Sequence, residues 1–471
     1  MSIMEKSKAD QLHEDPVDPL AKSIANGQTT TEDAVFGDIT AEGPNYRSEQ
    51  VGWVGTVIIM MKLCIGLGVL SIPATFDAFG IIPGMFLLIA IGIIATWSCY
   101  VVGNFKLRHP EVYGIDDAGF LMFGKIGREF FAVGFCLCYI LVAGSGMLGI
   151  SIGLNSVSAH GTCTAVFVAI AAFIAFAGAS IRTLGRLQWL AWIGLAGILI
   201  SIFTVTIAVG VQDRPAAAPQ DGPWKSDFAI AKRPTFIKAV SAISTYVFAY
   251  AAAPLFFPVI SEMKDPRDYT KALLVCQSGV TITYVVIGCL VYYFCGSYVA
   301  SPALGSAGGL LKKICYGIAL PGLIASTILL LHLPAKYIFV RLLRGTEHLT
   351  SNSKTHWIVW LSCTSGSAVI AYIVASAVPI FGNLVSLIGA VFITTLAFQA
   401  MACMWFYDNW KSAERGTLKW TLVACWAAFV IVLGVFLTIA GTYGSIVEII
   451  DSYKVSGGSA AWSCADNSNS T

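Results

Sequence analysis

The sequence predicts an all-α polytopic membrane protein with about eleven transmembrane helices, built as two inverted five-helix repeats whose first helices are broken. Three observations lead to this fold class. Apolar residues make up 56% of the 471 residues and charged residues only 12%, with a mean hydropathy of +0.74, whereas soluble domains carry about a quarter charged residues. Apolar runs long enough to cross about 30 Å of hydrocarbon recur along the chain. Two of these runs, five apart, are interrupted by glycine or proline.

The first 50 residues lack the periodic apolar pattern of the rest. They hold ten acidic and four basic residues and many small polar ones, a composition typical of a disordered tail. No basic segment followed by an apolar run opens the chain, so the first spanning helix is expected to drive insertion. We expect a cytoplasmic tail at 1–50, with ubiquitin or trafficking machinery as its partners.

The apolar segments predict eleven spans, numbered here in chain order. Their cores lie at 53–79, 81–104, 130–156, 163–180, 188–211, 236–261, 272–296, 315–340, 357–378, 383–406 and 420–443. Repeat 1 then covers 51–211 and repeat 2 covers 236–406, separated by an extracellular loop at 212–235. A helix at 419–445 stands outside both repeats as an appendage, followed by an extracellular tail at 446–471.

The distribution of Lys and Arg predicts the orientation. With the N-terminus in the cytoplasm, the inner loops carry sixteen of these residues and the outer loops seven, as the positive-inside rule requires. The net charge is only +2 and no basic run occurs. The lipid bilayer is therefore an expected partner, and nucleic acid is not.

Most of the thirteen cysteines fall inside spans, where they are expected to act as small packing residues. Cys163 and Cys464 are predicted to lie outside the cell, where an oxidising environment permits a disulfide. The sequence alone does not pair them.

The break in span 1 lies in the stretch 62–73, KLCIGLGVLSIP, where two glycines and a proline interrupt the helix. A bilayer offers no water to unpaired backbone groups, so such a turn is tolerated only where it is packed in protein or lines a cavity. Span 6 carries the matching break at Tyr250 to Pro254. Span 6 follows span 1 by five spans, an odd number, so the two broken spans cross the membrane in opposite directions. Inverted repeats require this. The alternative is a pair of ordinary kinks.

Two motifs carry a family resemblance. Stretch 62–73 resembles the first-helix signature of the amino acid/auxin permease family, and EMKDP at 262–266 resembles the acidic closure after that family's sixth helix. From about 48 to 450 the chain is similar to the fungal N-system neutral amino acid permeases. The resemblance implies a LeuT-like fold and secondary active amino acid uptake coupled to protons or sodium. It also favours the plasma membrane, with the vacuolar membrane as the alternative.

The breaks offer binding groups for an amino acid zwitterion. N–H groups around Ile65, Gly66, Leu67 and Gly68 lie at the positive end of a half-helix and suit a carboxylate. Carbonyls near 62–65 and 248–251 suit an ammonium. The substrate side chain is expected to face four residues on span 6 and one on span 3: Tyr246, Phe248, Tyr250, Ala251 and Ser145. No fixed charge matches a charged substrate side chain, so neutral aliphatic and aromatic L-amino acids are predicted.

The coupling ion is predicted to be a proton, and no cofactor is expected. In transporters of similar architecture, span 1 carbonyls and span 8 hydroxyls hold sodium, and Ser326 and Thr327 are the matching pair here. Lys62 lies one turn before Gly66, so its ammonium would occupy the position that sodium takes in those transporters. The alternative is that Lys62 extends to the cytoplasmic face with a structural role.

A proton-coupled cycle also needs a group that titrates. The candidates are Lys62, His332, Glu262 and Asp77. A packing role is the alternative for His332. Some branches of the family carry an acidic residue in the span 6 break, where this chain has Ala251.

No catalytic metal motif, P-loop or intramembrane aspartate pair occurs, so an enzyme or a primary pump is not expected. The rival functions are an amino acid sensor of the same fold, a sodium-coupled symporter, and a channel. The channel would need a polar through-pore that the sequence does not supply.

Overall fold

The computed structural model describes residues 31–33, 37–40, 43–44 and 51–468, apart from 182–183, 216, 345, 350–352, 379 and 456–461. Within the tail expected to be disordered, three short strands, Thr31–Asp33, Gly37–Thr40 and Gly43–Pro44, pair as an antiparallel sheet. The other residues of the tail lie outside the described part of the chain.

The membrane-spanning segments are helical. Span 1 is divided into 1a (Trp53–Cys64), a 3₁₀ turn (Gly68–Leu70) and 1b (Ile72–Phe79), and span 6 into 6a (Phe236–Ala249), a 3₁₀ turn (Ala253–Leu255) and 6b (Phe256–Ser261). The unbroken spans are span 2 (Ile81–Arg108), span 3 (within Ile115–Ser158), span 4 (Thr164–Ala179), span 5 (Leu184–Val211), span 7 (Tyr269–Cys295), span 8 (Gly309–Leu343), span 9 (Lys354–Ala377) and span 11 (Leu418–Val455). Span 10 consists of Phe381–Ile388, a π-helical stretch Gly389–Gln399 and Ala400–Asn409.

The predicted fold class is confirmed. In the described residues, nine helices are long and apolar enough to cross a membrane. Two shorter apolar helices, Trp53–Cys64 and Thr164–Ala179, complete the predicted set. The first is half of a broken span, and the sixteen residues of the second extend about 24 Å at 1.5 Å per residue.

Small residues allow the helices of the two repeats to approach closely. A Cβ on Gly146 of span 3 would collide with the Thr327 hydroxyl of span 8. A Cβ on Gly322 of span 8 would lie 2.7 Å from the Gly194 carbonyl of span 5. Because glycine permits backbones to meet at such distances, span 8 packs against both span 3 and span 5.

Span 11 differs from the predicted helix. It continues to Val455, so residues 446–455 are helical rather than part of a tail. It also packs on the broken span 6. A Cβ on Gly444 would lie 2.5 Å from the Val240 side chain, and one on Gly441 would collide with the Ser244 hydroxyl. Both glycines therefore bring span 11 against 6a.

The outer end of the bundle, defined here as the end that holds Cys163, is closed by the C-terminal segment. Cys163 and Cys464 form a disulfide across 301 residues, which resolves the pairing that the sequence left open. The Asn155 side chain of span 3 donates to the Asn467 side-chain oxygen (2.7 Å). Lys312 donates to the Ser468 carbonyl. Residues 462–468 thus lie over spans 3 and 8.

Candidate substrate site between the broken helices

The break in span 1 leaves backbone groups of both kinds unpaired. The Gly66 N–H donates to the Cys64 carbonyl (3.0 Å). Beyond that bond, the Leu67 and Gly68 N–H groups have no acceptor among the described residues, and the Ile65 and Gly66 carbonyls have no donor there. Because more than about 90% of buried backbone groups in proteins are paired, these four groups are candidates to bind a ligand.

The break in span 6 is closed by local hydrogen bonds. The Ala251 N–H donates to the Phe248 carbonyl (3.1 Å), and the Ala252 N–H donates to the Tyr250 carbonyl (3.0 Å). Pro254 lies in the 3₁₀ turn that follows. Two of the span 6 carbonyls expected to bind an ammonium are therefore already bonded within the break.

Tyr284 of span 7 joins the two breaks. Its buried hydroxyl lies 2.8 Å from the Cys64 carbonyl of 1a and 3.0 Å from the Ala249 carbonyl of 6a, and its single proton is shared between these two acceptors in a bifurcated hydrogen bond. A helix leaves its last carbonyls unpaired; Tyr284 provides a donor for the Ala249 carbonyl at the end of 6a and a second donor for the Cys64 carbonyl, which also accepts from the Gly66 N–H. The Tyr250 hydroxyl hydrogen-bonds to Thr281, one turn earlier on span 7 (3.0 Å). Sequence reasoning missed Tyr284, although the polar run from Thr281 to Tyr284 within an apolar helix was a usable signal.

Gly66 and Gly68 have different surroundings. A Cβ on Gly68 would lie 2.6 Å from the Ala249 Cα, so only glycine allows the span 1 break to meet 6a there. A Cβ on Gly66 would have no atom within 4 Å. Gly68 is thus the contact between the breaks, and Gly66 faces open space.

Span 3 forms a wall of the site one turn from the predicted position. A Cβ on Gly149 would lie 3.8 Å from the Leu67 side chain. Ser145 lies four residues earlier on the same helical face. It is buried, and its hydroxyl donates to the Val142 carbonyl of its own helix (2.7 Å).

The aromatic residues expected on span 6 pack towards two neighbours. The Tyr246 ring is fully buried and meets the Phe76 ring of 1b edge-on, with centroids 6.2 Å apart. Phe248 approaches the π-helical stretch of span 10, since a Cβ on Gly389 would lie 3.1 Å from the Phe248 Cβ. Ala251 is half-buried. The breaks are therefore enclosed by 1b, span 7 and span 10.

The closure motif after span 6 ties the inner ends of the two broken helices together. The Val51 N–H donates to the Glu262 carbonyl (3.2 Å), and the Lys264 N–H donates to the Val51 carbonyl (3.1 Å). The Glu262 side chain is exposed at this end. The structure therefore places Glu262 at the inner closure, beyond the end of 6b.

The outer half of span 1 is held by the loop before span 6. Lys232 and Asp77 form an ion pair at 2.6 Å, and the Lys232 N–H donates to the Phe79 carbonyl (2.7 Å). Partial burial by itself lowers the pKa of Lys232, but the hydrogen bond and the charge of Asp77 raise it above its usual value. Asp77, one of the candidate titrating groups, is thus paired at the outer end.

His332 lies in a packing contact between spans 4, 8 and 9. Its Nδ1 is 3.0 Å from the Ala179 carbonyl, which requires the proton on Nδ1. Its ring meets Trp360 of span 9 edge-on at 5.3 Å. Neither break contributes to these contacts.

The remaining ion-coupling candidates are not joined by a contact. Lys62 is half-buried in the last turn of 1a and has no ion pair or hydrogen bond to any described residue. The Thr327 hydroxyl donates to the Leu323 carbonyl of its own helix (2.7 Å) and lies against Gly146 of span 3. Ser326 is buried beside it. Within the described part of the chain, the pair is not hydrogen-bonded to Lys62.

Comparison with known families decides the identity. Residues 49–447, which include both breaks and the closure motif, match the family model described as transmembrane amino acid transporter protein. The chain belongs to this family. It is a membrane transporter of amino acids and not an enzyme.

Fungal and plant relatives of the transporter agree with this assignment. A "Transmembrane transporter" of Gibberella moniliformis is 34% identical over 452 residues, covering 96% of this chain and 94% of the relative. The "N amino acid transport system protein" of Neurospora crassa is 33% identical over 437 residues, covering 90% of each. "Amino acid transporter AVT1H" of Arabidopsis thaliana is 28% identical over 84% of this chain and 90% of that protein.

The fold of the transporter is also found among solved structures. The inward-facing conformation of Mhp1 aligns with a TM-score of 0.55 at 12% sequence identity, covering 90% of this chain and 95% of that one. A closed conformation of Mhp1, a nucleobase-cation-symport-1 family transporter, gives a TM-score of 0.52. These likenesses concern the fold alone, and they agree with the predicted LeuT-like architecture.

Proposed function

We propose that the transporter imports neutral aliphatic and aromatic L-amino acids by proton symport, through alternating access to a site between the broken helices. One observation carries the proposal: the span 1 break presents N–H groups at Leu67 and Gly68, beside carbonyls at Ile65 and Gly66, that have no partner within the described part of the chain. Donors suit the carboxylate of an amino acid and acceptors suit its ammonium. A single backbone segment thus offers both kinds of partner to a zwitterion.

The surroundings of the break favour neutral substrates. The residues that enclose it, among them Leu67, Tyr246, Phe248 and Tyr250, are buried and apolar or aromatic. A charged substrate side chain in such a pocket would lose its hydration without a counter-charge, which is costly. Gly66 and Ala251, both only partly buried, leave room for a bulky side chain.

Proton coupling is favoured over sodium by the position of Lys62. Its ammonium is half-buried next to the span 1 break, and a second cation placed there would be repelled. The plasma membrane, with the tail at 1–50 in the cytoplasm, is the location proposed.

Uptake into proteoliposomes tests the proposal. Purified transporter is given labelled leucine or phenylalanine under an inward proton gradient in sodium-free buffer, with and without a protonophore. We expect concentrative uptake that the protonophore abolishes, competition by other neutral amino acids, and none by arginine or glutamate. Uptake that needs sodium and survives the protonophore would refute proton symport. Binding without accumulation would instead indicate a sensor.

A further inference from the structure

Glu448 is an acidic side chain in the outer turns of span 11, one turn after Ser445 and one turn before Asp451. It lies on the outer part of span 11, in the stretch that the sequence assigned to a solvated tail, and its side chain is half-buried. The Ser241 hydroxyl of 6a donates to the Glu448 carboxylate at 2.5 Å.

Three buried hydroxyls form a chain that ends on this carboxylate. Ser445 and Ser386 are 2.6 Å apart, Ser386 and Ser241 are 2.9 Å apart, and Ser241 reaches Glu448. With Glu448 charged, each hydroxyl can donate to the next one along the chain. With Glu448 protonated, each can reverse its direction, because a hydroxyl both donates and accepts. The network therefore accommodates both protonation states of the carboxylate.

Few other charges face Glu448. Lys238, on the exposed side of 6a, is close enough to interact with it electrostatically. The part of span 10 packed there, 381–399, has no charged residue. On span 11 itself, Asp451 pairs with Lys454 at 3.0 Å.

We propose that Glu448 binds the coupling proton at the outer end of the transporter. The inference rests on the proton symport proposed above and assigns it a site that is not among the sequence candidates. The hydroxyl chain joins 6a (Ser241), span 10 (Ser386) and span 11 (Ser445), so proton binding changes the hydrogen bonds that hold a broken helix against its scaffold. Protonation at Glu448 is thereby linked to movement of the helix that encloses the substrate.

Glu448→Gln tests the proposal, because it keeps the shape of the side chain but removes its titration. Proteoliposomes with an internal pH dye report substrate-driven proton influx together with labelled leucine uptake. We expect the variant to lose the proton influx and concentrative uptake while it retains exchange of labelled for unlabelled leucine. Asp451→Asn, which removes an exposed carboxylate one turn further along span 11, is the matched control and should behave as wild type.

The pH dependence of uptake by the Ser241→Ala variant is a second test, because a purely structural role of the hydroxyl chain would not change it. Ser241 donates to the charged carboxylate, so its loss disfavours the charged form. Half-maximal uptake should then shift to higher pH. An unchanged pH profile would overturn the assignment even if the Glu448 variant failed to fold.

The outcomes separate the two proposals. If the wild type accumulates leucine without proton influx, proton symport is refuted and the Glu448 assignment with it. If the wild type shows substrate-driven proton influx and Glu448→Gln keeps it, only the Glu448 assignment is wrong.

Discussion

The two breaks at the centre of the transporter occupy equivalent positions in their repeats, but their backbone groups are paired differently. In span 1, four backbone groups around Gly66 are unpaired among the described residues. In span 6, local turns pair the Ala251 and Ala252 N–H groups with the Phe248 and Tyr250 carbonyls, and Ala249 packs against Gly68. Inverted repeats therefore need not give equivalent sites: the first break is suited to bind a ligand, and the second to support the first.

Gly68→Ala and Gly66→Ala offer the sharpest test of this difference, and the largest expected effect. Alanine at 68 would place a Cβ 2.6 Å from the Ala249 Cα. Such overpacking costs about 1–3 kcal/mol, so we expect a lower melting temperature and loss of uptake. Alanine at 66 meets no atom within 4 Å, and we expect wild-type stability with weaker substrate binding.

Thermal unfolding followed by size-exclusion chromatography, together with leucine KM, separates the two variants. Equal destabilisation by both would contradict the distinction between a packing glycine and a ligand-facing one. Wild-type KM in the Gly66 variant would place the substrate elsewhere.

Tyr284→Phe tests whether the two breaks are held as one unit. The change removes the donor shared by the Cys64 and Ala249 carbonyls. A buried polar group left unpaired costs about 1–3 kcal/mol, so we expect lower thermal stability and slower uptake. Tyr269→Phe is the matched control, since that hydroxyl donates to a single carbonyl, Cys99, in unbroken span 2 (2.9 Å).

Tyr269→Phe should cost less, about 0.5–1.5 kcal/mol, and should leave the transport rate near wild type. A Tyr284 variant as active and stable as its control would show that the hydroxyl does not join the breaks.

Removing the ion pair between Asp77 and Lys232 has the smallest expected effect. The experiment tests whether this pair or the backbone bonds hold the outer half of span 1. Exposed ion pairs contribute about 0.2–1 kcal/mol, while backbone bonds such as Lys232 N–H to the Phe79 carbonyl remain in side-chain variants. A double-mutant cycle of Asp77→Asn and Lys232→Met, followed by melting temperature at low and high salt, should give a coupling within this range that salt weakens. A larger coupling would mean that charge, rather than backbone pairing, positions 1b.

The spans and both breaks could be predicted from the sequence because their causes are local. Apolar length specifies a span, and glycine or proline marks an interruption. The partners of the breaks could not be predicted, because the bonds of Tyr284 join residues 220 and 35 positions away. The length of span 11 was underestimated for a related reason: its polar outer turns, which resemble a tail in sequence, are paired with spans 6 and 10 through Ser445 and Glu448.

The candidate site was predicted only in part. Its span 1 residues, 65 to 68, lie together at the break, whereas Glu262, Asp77 and His332 lie apart from it. The sequence shows titratable residues at all three positions but not their surroundings: Asp77 is paired with Lys232 from a distant loop, and His332 is bonded to the Ala179 carbonyl of span 4. Burial and pairing, which decide between the two roles, are tertiary properties.

The disulfide between Cys163 and Cys464 has a consequence for biosynthesis. Its two cysteines lie 301 positions apart, on either side of spans 4 to 11, so the bond can form only after span 11 has been inserted. Oxidation of this pair therefore marks chains that have completed assembly. Its presence on a non-reducing gel would distinguish mature molecules from stalled or truncated ones without any assay of transport.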